Sequence, residues 1–165
     1  MMNTILQATA DLLKSKKFQP AFTEDGDTLV VRCQSEQLFW TTEVDTCKDG
    51  TIITLLTRVP VKIPPAQRGA CAKLVARLNY GKRQGAFHLD LRDGEVLFCI
   101  SSSLTAGIAP EETLDSLFGT TFSAMNEHTP EIFKLVYGRA RVSDSEPATP
   151  ARSRGESVNP PGLNN

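Results

Sequence analysis

No apolar run in this sequence approaches the ~18 residues a membrane-spanning helix requires, so a bilayer is not an expected partner. Charge of one sign is also missing. With 18 Lys and Arg against 19 Asp and Glu, the net charge is −1, and the chain lacks the basic surface that binds nucleic acid by counterion release. Histidine is scarce, at two residues. The four cysteines, Cys33, Cys47, Cys71 and Cys99, form no C-x-x-C pair and have no His at ligand spacing, so neither a metal site nor a redox motif is indicated. The N-terminal MMNTILQATADLL has no basic n-region and no continuous apolar h-region, so no secretory leader is expected and the cytoplasm is the expected compartment. A cytosolic chain of this length needs no disulfide staples; the cysteines are expected as buried or half-buried free thiols.

What remains is ordinary globular material: 165 residues, 40% hydrophobic and 22% charged, enough for one domain with a tail. A first helix is predicted from about Thr4 to Lys16, with Ile5, Leu6, Thr9, Leu12 and Leu13 as its apolar stripe and Asn3 or Thr4 as its cap. Phe18, Pro20 and Phe22 then lead through the turn cluster Glu24–Asp27 into a three-stranded meander. A turn at Ser35-Glu36 pairs Leu29, Val31 and Cys33 with Thr42, Trp40 and Leu38. A second turn at Asp49-Gly50 sets Val44 opposite Leu55 and Trp40 near Val59. One face of the meander is then continuously apolar, through Leu29, Val31, Leu38, Trp40, Val44, Ile53, Leu55 and Val59.

After Pro60 and Pro64, a second helix is predicted from Pro65 to about Gln84 on the spacing of Ala66, Ala70, Leu74 and Leu78. A β-hairpin follows, in which Phe87, Leu89 and Leu91 alternate with polar residues up to Asp93-Gly94, and Val96, Phe98 and Ile100 alternate on the way back. A two-residue turn pairs Leu91 with Val96, Leu89 with Phe98 and Phe87 with Ile100. The last helix opens at Pro110 with Glu111 and Glu112 in its first turn, is kinked or interrupted at Thr129-Pro130, and stops at Gly138. From about residue 139 the chain is rich in Pro, Ser and Arg with almost no apolar residues, so residues 1–138 are read as the domain and 139–165 as a disordered tail.

This is an α+β pattern, α-β-β-β-α-β-β-α, with helices on one face of an antiparallel five-stranded sheet. Leu78-Asn79-Tyr80, Gly85-x-Phe87-x-Leu89-Asp90, Asp93-Gly94-Glu95-Val96, Pro110-Glu111-Glu112 and Thr129-Pro130-Glu131-Ile132 follow in an order and spacing that resembles the YbjN domain family of bacterial sensory transduction regulators. That resemblance covers roughly residues 4 to 138. It implies a type III secretion chaperone-like fold and a non-enzymatic homodimer that acts through protein contacts. It supplies no catalytic residues and no cofactor.

Few residues offer chemistry. In the hairpin register above, His88 faces Cys99, with Asp90 further along the same side; a thiol nucleophile needs such a neighbour but also a pocket and backbone donors, which a flat sheet face does not provide. His128 stands near Glu127 and Glu131, but with Thr129-Pro130 breaking the helix these need not converge, and a solvated helix end is expected. Asn79 reads as a helix cap. The more informative feature is the sheet's second face. Val30, Phe39, Ile52, Leu56, Leu97 and Cys99 give it apolar area that a monomer rarely leaves exposed, so a surface for self-association or for another protein is expected there. The alternative is a ligand-sensing cleft between sheet and helix.

Overall fold

A computed structural model describes residues 4–47, 49–104 and 111–138. The tail expected from residue 139 and the positions of Asn3 and Pro110 lie outside the described residues. Helix α1 spans Thr4–Ser15. Strands β1 (Pro20–Phe22), β2 (Leu29–Gln34), β3 (Phe39–Thr46) and β4 (Ile52–Arg58) follow. A single 3-10 turn, Pro65–Gln67, leads into α2 (Arg68–Asn79). Strands β5 (Ala86–Leu89) and β6 (Val96–Ser103) and the long helix α3 (Glu111–Tyr137) complete the order.

The sheet is antiparallel and has six strands, not five, in the order β1-β2-β3-β4-β6-β5. The added strand is β1, which pairs Pro20 with Val31 and Phe22 with Leu29. A proline cannot donate to a ladder, which places such a segment at a sheet edge, where β1 lies. Its alternating Phe18, Pro20 and Phe22 is too short a run to announce a strand without its partner.

The helices cover one face. Every meander residue expected on the core side is buried, from Leu29 to Val59. Stripe residues Ile5, Leu6 and Leu13 of α1, Leu74 and Leu78 of α2, and Leu117, Met125 and Ile132 of α3 close over them. Inside this layer the hydroxyls of Thr42 and Thr57, on paired strands, bond each other at 2.8 Å. All four cysteines are free, Cys33 and Cys71 buried and Cys47 and Cys99 partly so.

Two registers differ from expectation, each by two residues. Leu29 pairs with Val44 and Cys33 with Trp40, because the turn is centred on Glu36-Gln37 and closes through the Ser35 N–H on the Leu38 carbonyl. The Val44–Leu55 pairing holds. In the hairpin, Phe87 pairs with Phe98 and Leu89 with Val96. The Asp90 carboxylate accepts the Arg92 N–H and that of Asp93 accepts the Glu95 N–H, which builds a longer loop. Leu91 therefore stands in the loop, 60% exposed, rather than in the core. Side chains alternate with period two, so neither shift moves a strand residue to the other face.

Two helix expectations also change. Helix α2 stops at Asn79, five residues before Gln84, with Tyr80 extended and Gly81 at positive φ. Helix α3 runs unbroken through Pro130. Buried His128, Thr129, Ile132 and Leu135 bracket the proline, and their packing outweighs a local cost of ~3 kcal/mol. No helix among the described residues is long and apolar enough to cross a membrane.

Candidate functional site: the uncovered face of the sheet

Alternation along the strands puts Val30, Phe39, Ile52, Leu56, Leu97 and Cys99 on the face opposite the helices, but the registers do not gather them into one patch. Leu56 pairs directly with Cys99, and Leu97 is the next residue of β6 on that face. These three, with Ala86 beside Cys99, form a contiguous apolar cluster over β4, β6 and β5. Val30 is separated from it by Glu43, which stands between Val30 and Leu56 in the same cross-strand row. Phe39 sits at one end of β3 opposite Gln34 and is 67% exposed. Ile52 lies at the far end of β4 opposite Ser103, 41% exposed.

Charge organises the rest of the face. Arg58 lies between Glu43 and Glu95, ion-paired to the first and bonded to the second at 3.0 Å. A guanidinium held between two half-buried carboxylates stays charged, and its pKa is raised, first by the Glu43 hydrogen bond. The Thr54 and Ser101 hydroxyls bond at 2.9 Å further along. The surface is a polar seam beside an apolar cluster.

The thiol candidate does not assemble. His88 pairs with Leu97 and Cys99 with Ala86, so the imidazole and thiol are not directly opposed. Burial pushes the Cys99 thiol up, away from the low pKa of a nucleophile, and a Ser101 hydrogen bond offsets this only in part. His128 is not a solvated helix end. It is buried against the edge of Phe87, with Nε2 3.0 Å from Lys82 Nζ and Nδ1 3.6 Å from Glu131 Oε1. No group of three metal-ligating side chains occurs among the described residues.

Asn79 does something the sequence did not suggest. Its carboxamide donates to the Phe87 carbonyl and accepts the Phe87 N–H, each at 2.8 Å, tying the end of α2 to the edge strand β5. The only sequence signal was its place between helix and strand. The hollow between β6 and α3, lined by Gln84, Ser101, Glu112 and Ser116 among others, measures ≈ 250 Å³, below the usual range for small-molecule sites.

Among solved structures, the chain is similar to one described as "Crystal structure of YbjN, a putative transcription regulator from E. coli", with a TM-score of 0.58, 14% identity, and coverage of 76% of this chain and 89% of that one. At that identity the likeness speaks to the fold. Comparison with the curated proteins found no match. The family model described as "Putative bacterial sensory transduction regulator" matches residues 9–134, most of the chain and every described strand, and the chain belongs to that family, YbjN.

Proposed function

We propose that this chain is a regulatory domain that works by binding protein, as a homodimer and with a partner protein of the cytoplasm, and that it catalyses no reaction. The family description, a regulator of sensory transduction, supports the regulatory setting. The arrangement of three helices on one face of an antiparallel sheet supports a type III secretion chaperone-like fold, with β1 as an extra edge strand.

The observation that carries the reading is the face that no described helix covers, where Leu56, Leu97 and Cys99 lie together beside the Arg58 seam and Phe39 projects at the rim. An apolar centre with a charged border is the anatomy of a protein interface. Phe39→Asp combined with Leu97→Asp tests it. Both positions are on the open face, so the fold should persist by circular dichroism. Light scattering on a size-exclusion column should read the mass of a dimer for the parent chain and of a monomer for the variant. An unchanged mass for the variant, or a monomeric parent, refutes the homodimer.

A further inference from the structure

His128 is one of two histidines in the chain, and α3 buries it. Its ring stands edge-on to that of Phe87 in β5, with the centroids 5.8 Å apart. Two groups of opposite charge attend the same ring atom. Lys82 Nζ lies 3.0 Å from Nε2, and Glu127 Oε2 lies 3.8 Å from it. The other ring nitrogen, Nδ1, is buried with no hydrogen-bond partner among the described residues, and Glu131 Oε1 stands 3.6 Å from it. Arg77 of α2 holds the second carboxylate oxygen of Glu131 at 2.7 Å. Strand β5 adds the Phe87 ring and no charge, because His88 alternates to the opposite face.

These contacts fix the state of the ring. An ammonium group has only donors, so beside Lys82 the Nε2 atom must accept, and the ring proton sits on Nδ1. The imidazole is therefore neutral in this arrangement. The linker between α2 and β5 brings Lys82 into place. Gly81, at φ 82°, takes the left-handed turn that suits glycine, and the Lys82 N–H bonds the Asn79 carbonyl. The ammonium also lies 5.8 Å from the centroid of the Phe87 ring. A proton taken from solvent by Nε2 removes the acceptor and sets an imidazolium against an ammonium. The same proton makes Nε2 a donor toward Glu127.

We infer that Lys82, His128 and Glu127 form a pH-operated latch: the neutral ring ties the α2–β5 linker to α3 through Lys82, and the protonated ring turns to Glu127 and lets the linker go. Imidazole is the side chain that ordinarily changes charge between about pH 5 and pH 8, which sets the working range. The Arg77–Glu131 pair lies on the Nδ1 side and takes no part in the exchange. What opens is local, residues 81–85, immediately before Ala86 of β5. The latch does not depend on whether the open face of the sheet binds protein.

The test uses the full chain, with nitrogen NMR of the imidazole rings and thermal unfolding at about pH 8 and about pH 5. Exposed His88 serves as the internal reference. At the higher pH His128 should show the Nδ1–H tautomer, and Lys82→Met should abolish that preference. The Lys82 bond exists only with a neutral ring and the Glu127 pair only with a charged one, so the two variants respond to pH in opposite senses. Lys82→Met should lower Tm by about 2–4 °C at the higher pH and leave it unchanged or raised at the lower; Glu127→Gln should lower it only at the lower pH. Amide exchange over residues 81–85, corrected for the intrinsic effect of pH, should be at least about tenfold faster at the lower pH in the parent, and fast at both in Lys82→Met. An Nε2–H tautomer in the parent at the higher pH overturns the latch. So do Tm effects of the two variants that ignore pH, or exchange over 81–85 that ignores it. None of these measurements replaces His128, so loss of a core side chain does not enter the result.

Discussion

Asn79 offers the sharpest test of how the fold is held. Strand β5 is an edge, and the Asp90 N–H bonding the Glu95 carbonyl shows that even-numbered residues of β5 point their main chain at β6. Phe87 therefore points its N–H and C=O away from the sheet, and the Asn79 carboxamide meets both at 2.8 Å. Asn79→Ala removes two hydrogen bonds worth ~1 kcal/mol each and leaves two half-buried groups to find water, so the loss should be about 2–3 kcal/mol. Asn79→Asp keeps the acceptor but sets a carboxylate against the Phe87 carbonyl, and should cost about as much. Urea unfolding followed by tryptophan fluorescence should show a lower midpoint with unchanged slope, a fall in Tm of roughly 3 °C per kcal/mol, and faster exchange of the Phe87 amide. A loss below about 0.5 kcal/mol for the alanine variant, or a neutral aspartate, would refute the clamp.

Other consequences can be read by similar means. Gly94 lies at φ 80°, and a Cβ there would run into the Ile63 carbonyl, so Gly94→Ala combines left-handed strain with a main-chain clash; a destabilisation of at least about 3 kcal/mol in urea is expected. Thr42→Val should cost about 1–2 kcal/mol by stranding the Thr57 hydroxyl. Thr42→Val with Thr57→Val should cost less than the two single changes summed, which a double-mutant cycle in urea measures. Burial holds the Cys71 thiol up at about 11, against an ordinary value near 9. The folded state thus favours the neutral thiol: its contribution is complete below pH 9 and is lost as pH rises from 9 toward 11. Tm measured across that range should fall less steeply for Cys71→Ala than for the parent chain.

Sequence periodicity by itself determined which side chains are core, because inward and outward positions alternate along a strand whatever its partner. The buried row from Leu29 to Val59 and the opposite row from Val30 to Cys99 both follow from it. For the same reason the sequence could not distinguish registers two residues apart, and the choice fell to side chains such as Asp90 and Asp93 that cap main-chain groups in the turn. Only the tertiary structure decided the rest. It made Pro20 part of a strand by offering it β2, kept α3 unbroken through Pro130 by packing both sides of it, and gave Asn79 a partner eight residues away. It also divided six apolar residues into a cluster of three and three outliers, because neighbours across a sheet are set by pairing, which lies between strands and is not written along any one of them.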